Sequence, residues 1–278
     1  MELGGGRTLT DQGFVAASGK VENIEVTVAG NVNPLPSLGK VRCSINYSGN
    51  YQGVLSTGFT WFADDTNFDN LKIDIKGNIG SETAPESEDA SAGAFGFTFH
   101  FGNTTPQQQT NDTIDHGKTW QELYVNRNPQ VLQDTGHLKN LNLQVGGNIQ
   151  AVTKNAGYAA GIGFDMGEAW IDNAQINIAG DINVDMQGSK PYPTTISAPL
   201  AAGISEEVQN FTNSQLQVKN IIFKSNPAIP QKTGSGWNYT RVHGLADDNS
   251  KGNYLNVKNN TIKIAEKMQV ESSMWILS

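Results

Sequence analysis

The sequence is poor in cysteine and has no long apolar run. Cys43 is the single cysteine among 278 residues, so the chain cannot form an intramolecular disulfide or a multi-cysteine metal or redox site. It lies in the alternating stretch VRCSINY, which predicts a buried position. No run of about 18 apolar residues occurs, and the amino end, MELGGGRTLT, lacks the apolar segment of a secretory signal. We therefore expect no membrane-spanning helix.

Basic residues are also scarce. The chain has 19 Lys and Arg against 27 Asp and Glu, which gives a net charge of −8 and a pI near 5.0. Binding to a phosphate backbone needs clustered Lys and Arg, so this balance argues against nucleic acid as a partner. The apolar fraction of 37% is low for a thick globular core and favours a slender one.

What the sequence does have is a twelve-residue pattern that occurs six times. Its clearest copy is IDNAQINIAGDI, and position 3 of every copy is asparagine. We number the copies 1 to 6 in chain order; they begin at Val21, Phe68, Leu138, Ile171, Phe211 and Val257. The position 3 asparagines are Asn23, Asn70, Asn140, Asn173, Asn213 and Asn259.

Apolar and polar residues alternate after this asparagine. In copy 2, for example, Leu71, Ile73 and Ile75 alternate with Lys72 and Asp74. A period of two predicts a strand with one buried face and one face in water. Four copies then have glycine at position 10, which we interpret as a corner where the backbone needs a positive φ: Gly30, Gly77, Gly147 and Gly180.

A shorter element rich in small residues precedes each copy, as in YAAGIGF before copy 4. Five of these elements place a glycine at a similar distance before the asparagine: Gly13, Gly58, Gly161, Gly203 and Gly244. A small strand, a turn and an aliphatic strand thus form a unit that cannot bury its apolar face alone. We predict an all-β chain, specifically a right-handed parallel β-helix or β-solenoid of about six irregular coils. Residues 1–278 would form one elongated domain, with the six asparagines stacked as a structural ladder.

Two other features are candidates for packing or binding. Phe95, Phe97 and Phe99 alternate along one segment, which predicts that they point to one side of a strand and pack in the core. The outward pairs of copies 3 to 5 would form an uncharged amide stripe, either a solvated face or a surface for sugar hydroxyls: Asn142 and Gln144, Gln175 and Asn177, Gln215 and Gln217.

The longest insertion spans residues 100–137, between a small strand and copy 3. Long excursions from a regular scaffold often carry function, because the loop varies while the scaffold holds it. Our candidate ligand-binding residues are Trp120, Tyr124 and Arg127 in this segment. We predict no catalytic residue, metal ligand or cofactor.

The pattern resembles the GLUG-motif repeats of bacterial surface proteins. The resemblance is carried by YAAGIGFDMGEAWIDNAQINIAGDINV, from Tyr158 to Val184, and by STGFTWFADDTNFDNLKIDIKGNI around copy 2. It implies a β-solenoid in an extracellular or cell-surface protein such as an adhesin, with the repeats acting as stalk or binding surface. We also expect the chain to be a piece of a longer surface protein, because its last repeat, ending SSMWILS, lacks the polar cap that a solenoid needs. The partner that we expect is a host or matrix glycan or protein.

Two alternative functions remain open. Parallel β-helices also host polysaccharide lyases and glycoside hydrolases, and a hydrolase needs two carboxylates about 5–10 Å apart. Candidate carboxylates are the doublets Asp64–Asp65 and Asp247–Asp248, the second just after His243. A trimeric phage tail fibre is the other alternative.

Overall fold

A computed structural model describes the chain at residues 19–33, 53–62, 66–85, 91–100, 113–114, 118–119, 137–163, 165–188, 200–205, 207–226, 241–245 and 256–272. These residues contain 19 strands and no helix. The prediction of an all-β chain is therefore confirmed for the described part. Cys43 lies outside the described residues, and the assignment of residues 1–278 to one domain stays a prediction.

Most strands belong to two sheets in which every pairing is parallel. The larger sheet contains β1 (Gly19–Val28), β3 (Thr66–Ile75), β4 (Ile79–Ser81), β8 (His137–Lys139), β9 (Asn142–Val145), β10 (Ile149–Thr153), β12 (Asp165–Asp172), β13 (Gln175–Met186), β15 (Glu207–Thr212), β16 (Gln215–Ser225), β18 (Asn256–Lys258) and β19 (Thr261–Ser272). The smaller sheet contains β2 (Gly53–Phe62), β5 (Ser91–His100), β11 (Gly157–Ile162), β14 (Leu200–Ala202) and β17 (Arg241–His243).

The remaining two strands, β6 (Thr113–Ile114) and β7 (Lys118–Thr119), form a short antiparallel pair. They lie in the insertion predicted over residues 100–137. The rest of that insertion, from residue 101 to residue 136, lies outside the described residues.

Successive copies of the twelve-residue pattern pair with each other at equivalent positions. Position 1 of copy 1, Val21, lies opposite Phe68 of copy 2, which lies opposite Leu138 of copy 3 on its other side. The register continues in the same way through copies 4, 5 and 6. Each position therefore forms a column that runs across the larger sheet.

The apolar columns of the larger sheet form the core. At position 6, for example, Ile73, Leu143, Ile176 and Leu216 are at most 2% exposed, and their polar neighbours in the strand face outward. The alternation read from the sequence thus corresponds to an inner and an outer face. Burying an aliphatic side chain of this size stabilises the fold by about 1.5–3 kcal/mol.

Aromatic rings join the two sheets across this core. Phe97 of the smaller sheet stacks on Phe59 with ring centroids 5.6 Å apart. It also meets Phe68 of the larger sheet edge to face at 5.8 Å. All three rings are buried, so the inner faces of the two sheets pack against each other at this point.

The prediction that Phe95 and Phe97 share one side of their strand is wrong. Phe97 belongs to the main core together with Ala94, whereas Phe95 packs with Tyr158 and Leu200 in a second buried cluster. Ala94 and Phe97 are three residues apart, so the alternation breaks between them, at Gly96. The side chain of Phe99 lies outside the described residues.

Gly96 belongs to a column of glycines that runs through the smaller sheet: Gly58, Gly96, Gly161, Gly203 and Gly244. A Cβ on Gly161 would lie 2.5 Å from the carbonyl oxygen of Gly203, and a Cβ on Gly96 would lie as close to that of Gly161. The strands approach each other more closely here than any larger residue permits. This contact explains why small residues are required at these positions.

Candidate binding face and asparagine ladders

Two groups of site residues predicted from the sequence lie outside the described residues. These are Trp120, Tyr124 and Arg127 of the insertion and the carboxylate doublets Asp64–Asp65 and Asp247–Asp248. His243 is described at the end of β17, where it is partly buried. The position 3 asparagines and the outward amides, which the structure does describe, lie along the larger sheet.

The position 3 asparagines are connected by side-chain hydrogen bonds from one copy to the next. The Nδ2 atom of Asn70 donates to Oδ1 of Asn23 at 2.7 Å, and Asn173 donates to Asn140 at the same distance. Asn259 donates to Asn213 at 3.1 Å. In each pair the later copy donates to the earlier one, so the ladder has a direction.

Two steps of this ladder use an aspartate at position 2 as the acceptor. Asn140 donates to Asp69 at 2.6 Å, and Asn213 donates to Asp172 at 2.7 Å. Asp172 also accepts a hydrogen bond from the hydroxyl of Thr212 at 2.6 Å. These carboxylates are therefore engaged in structural bonds within the stack.

The same asparagines have positive φ angles, from 52° at Asn213 to 58° at Asn259. The prediction of positive φ at the position 10 glycines is wrong. Gly77, Gly147 and Gly180 are instead required by a close approach, because a Cβ on each would lie 2.0–2.2 Å from Oδ1 of an asparagine in the preceding copy. Asparagine tolerates the left-handed region better than most residues. It therefore suits position 3 both for its backbone conformation and for its side-chain hydrogen bonds.

Asn140 has both a left-handed backbone and side-chain hydrogen bonds. We therefore expect its substitution by glycine to destabilise the chain less than its substitution by alanine. Asn140→Gly removes the side-chain bonds but keeps the backbone conformation, so we expect a loss of about 1 kcal/mol in unfolding free energy. Asn140→Ala adds the cost of a left-handed residue with a Cβ, which is about 1–2 kcal/mol more. Thermal and urea unfolding of the two variants beside the native chain measures the difference. Equal losses would contradict the backbone part of the explanation.

A second ladder, not found from the sequence, runs along the position 11 side chains. Oδ1 of Asn31 accepts the backbone N–H of Asn78 at 2.8 Å, and Oδ1 of Asn78 accepts that of Asn148 at 2.8 Å. Asn148 accepts in turn from Asp181 at 2.9 Å. The sequence does contain a sign of this second ladder, because Asn or Asp follows the position 10 glycine in copies 1 to 4. In copy 5 the equivalent residue is Asn220, which accepts from Lys267 at 3.0 Å.

The outward columns at positions 5 and 7 form a polar surface that we call the amide face. Its central part consists of Asn142 and Gln144, Gln175 and Asn177, and Gln215 and Gln217, all of them exposed or partly exposed. Asn177 donates to Oε1 of Gln144 at 3.0 Å, and Gln144 donates to Asn142 at 2.8 Å. The side-chain amides of Gln215 and Gln217 have no hydrogen-bond partner among the described residues. Donors and acceptors therefore remain available to a ligand at one end of the face.

At the copy 1 end the same columns are charged. Lys72 donates to Oε1 of Glu25 at 2.7 Å across one step of the sheet, and the hydrogen bond to that carboxylate and its charge raise the pKa of Lys72. Lys76 bonds to Asp74 at 2.6 Å. The raised pKa means that this pair contributes to stability while Lys72 is protonated and ceases to do so as the pH rises through that pKa. The side chains of Lys72 and Glu25 are well exposed, so their contribution to stability is small.

A shallow groove of about 510 Å³ lies farther along the later strands of the larger sheet. Asp185, Lys224 and Glu271 occupy one outward column along it, and Nζ of Lys224 lies 3.4 Å from Glu271. The two carboxylates are two strands apart, which is roughly 9–10 Å. Asp185 also accepts a hydrogen bond from Gln187 at 2.8 Å. The groove is an open, charged surface whose acids already have partners.

Two other features, a metal-binding cluster and a membrane-spanning helix, were sought in the part of the chain that the structure describes. No group of three or more His, Cys, Asp or Glu side chains is placed to hold a metal ion there. No helix long and apolar enough to cross a lipid bilayer is found there either. Searches against protein-family models, curated proteins and solved structures return no match for this chain.

Proposed function

We propose that this chain is a non-enzymatic module of an extracellular or cell-surface protein, in which a parallel β-solenoid of the GLUG-like kind presents a flat binding surface. The observation that carries the proposal is the amide face, a row of outward amides held in register by the ladders beside it. The ligand class that suits it is a glycan or a polar segment of a protein.

The strand order supports the solenoid. Along the chain, β11 of the smaller sheet is followed by β12 and β13 of the larger sheet, then by β14 of the smaller sheet and by β15 and β16 of the larger. The chain thus alternates between the two sheets, and each return pairs in parallel with the preceding strand of the same sheet. A coil that advances by about 4.8 Å per turn has this property.

The chemistry of the amide face supports a hydroxyl-rich ligand. Each amide offers both a donor and an acceptor, and sugar hydroxyls are both as well. The amides recur at the spacing of the strands, about 4.8 Å, so several can engage one extended chain. The middle of the face, from Asn142 to Gln217, carries no charged side chain at positions 5 and 7. We therefore expect neutral glycans to bind better than strongly acidic ones.

The experiment is binding of the chain to a broad glycan and matrix-protein array, followed by titration of the best ligand. We expect Gln215→Ala combined with Gln217→Ala to weaken binding about tenfold, since each lost hydrogen bond contributes about 0.5–1.5 kcal/mol. The matched control is Gln187→Ala, an exposed amide outside the amide face, which we expect to leave affinity unchanged.

A variant with Trp120→Ala and Tyr124→Ala tests the insertion separately. Loss of binding in that variant alone would move the site from the amide face to residues 100–137. Absence of any ligand on the array would argue for a stalk rather than a binding surface. Cleavage of a polysaccharide that is lost on Asp185→Asn would contradict the non-enzymatic proposal and favour the glycosidase or lyase alternative.

A further inference from the structure

The last two strands of the larger sheet, β18 and β19, leave apolar side chains uncovered. Val257, Ile262, Met268 and Val270 of copy 6 and its continuation are 37%, 38%, 45% and 41% exposed. Their partners in the preceding copy, at the same positions, are almost completely buried: Phe211, Leu216, Ile221 and Phe223. One more layer of strand would bury the copy 6 residues in the same way.

The backbone of β19 is open as well. β19 pairs with β16 on one side, and no other strand among the described residues pairs with its outer edge. β1 is in the equivalent position at the opposite end of the sheet, where it pairs with β3 alone among the described strands. A long open edge is a template for pairing with another chain. The two edges face in opposite directions along the stack, so they can meet in parallel.

The asparagine ladder gives these edges complementary ends. Each asparagine donates its Nδ2 group to the preceding copy, as Asn259 does to Asn213. Among the described residues, Asn23 in copy 1 has no preceding copy to donate to, and Oδ1 of Asn259 has no donor from a following copy. Placing β19 of one molecule against β1 of another supplies both groups with the partner they lack.

Gly30 leaves open space for a neighbouring layer at the copy 1 end. At the equivalent Gly77, Gly147 and Gly180, a Cβ would lie within 2.2 Å of an asparagine oxygen of the preceding copy. At Gly30, nothing lies within 4 Å of such a Cβ. The glycine that allows close approach is therefore present where no described residue approaches.

One pair of opposite charges also meets at the two ends. The ionisable side chains from residue 21 to residue 33 are Glu22 and Glu25, both acidic. In a stack that continues the register, position 2 of copy 6, Lys258, lies opposite position 2 of copy 1, Glu22. The bond between Lys72 and Glu25 shows that a lysine one strand away reaches a carboxylate at the equivalent position.

We propose that the chain associates head to tail with a second copy of itself, β19 of one molecule pairing in parallel with β1 of the next. The contact is heterologous, because different surfaces of the two molecules meet. Repetition of such a contact gives an open filament rather than a closed dimer. The assembly would extend the apolar core and the position 3 asparagine ladder from one molecule to the next.

Sedimentation velocity of the full chain over a range of concentrations tests the association. We expect the mass to grow with concentration, and we expect Met268→Glu to raise the dissociation constant at least about 100-fold because it would bury an unpaired charge. Lys154→Glu, a charge reversal at the turn between β10 and β11, is the control and should associate like the native chain. Circular dichroism of both variants checks that they fold.

Charge exchange tests the register. Lys258→Glu alone or Glu22→Lys alone places like charges at the contact, so each variant should associate more weakly than the native chain. An equimolar mixture of the two variants contains both the native contact and its charge-reversed counterpart. We therefore expect the mixture to regain the native mass distribution.

Disulfide trapping tests the orientation. In a Cys43→Ser background, Thr27→Cys in one sample and Lys263→Cys in another place thiols at position 7 of the two edges, where paired residues lie close enough for a disulfide. A covalent dimer should form on mixing the two variants and not in either alone. Comparable crosslinking within one variant would overturn the head-to-tail orientation. A monomer at all concentrations into the millimolar range would overturn the association and indicate that a different chain segment covers β19.

Discussion

Phe97→Ala is expected to lower the free energy of unfolding by about 3–5 kcal/mol, the range for deleting a buried aromatic ring. Phe97 is completely buried and contacts Phe59 and Phe68, one from each sheet. Its removal therefore leaves a cavity at the place where the sheets meet, and it also removes two ring contacts worth about 0.5–1.5 kcal/mol each. Urea unfolding followed by far-UV circular dichroism measures the loss.

Two controls separate this local effect from a general sensitivity to truncation. Phe97→Leu keeps most of the volume, so we expect a loss well below that of the alanine variant. Val257→Ala shortens an apolar side chain that is 37% exposed, and we expect a change within about 0.5 kcal/mol, as for surface positions. If Phe97→Ala and Val257→Ala unfolded at the same urea concentration, the rings would not be holding the sheets together.

The parts of the fold that could be predicted from the sequence are those that depend on local periodicity. Alternation at Ile73, Leu143 and Ile176 predicted an inner and an outer face, because a strand places successive side chains on opposite sides. The register between copies also follows from the sequence, since sliding one copy by one residue would turn its apolar side chains into water. For this reason the columns of the larger sheet agree with the pattern position by position.

The errors concern features that depend on contacts between copies. Both asparagine and glycine accept a positive φ, so the pattern alone did not show which of Asn70 and Gly77 carries it. The answer depends on the neighbouring copy, whose Asn31 side chain occupies the space beside Gly77. Phe95 and Phe97 were predicted to lie on one side because the local pattern does not show the break at Gly96, where the neighbouring strand approaches closely.

The candidate site was predictable in part. The outward amides of copies 3 to 5 were identified from alternation, and their exposure follows from the same rule. The hydrogen bond from Asn177 to Gln144 depends on side-chain rotamers in two copies 33 residues apart, which no local pattern specifies. The open edge of β19 could not be predicted from the sequence either, because copy 6 has the same apolar pattern as the buried copies.

The stability of the stack depends on a close backbone contact that recurs from one strand to the next. In the smaller sheet this contact is the glycine column, where each strand meets the backbone of the next. Gly161 donates its N–H to the carbonyl oxygen of Gly203 at 3.2 Å, and a methyl group added at Gly161 would meet that same oxygen before any other atom. Relief of the clash by moving one strand would therefore weaken the hydrogen bonds of the same ladder.

Gly161→Ala is accordingly expected to destabilise the chain by at least about 1–3 kcal/mol, the cost of overpacking a closely packed interior. The added Cβ would lie 2.5 Å from a backbone oxygen, which unlike a flexible side chain cannot rotate away. The matched control is Gly30→Ala, where the new methyl group meets nothing within 4 Å, so we expect a change near zero or a small gain from reduced freedom of the unfolded chain. Thermal unfolding at low protein concentration compares the two variants with the native chain. Equal midpoints would show that the smaller sheet accommodates a methyl group at Gly161 and that the glycine column is not a packing requirement.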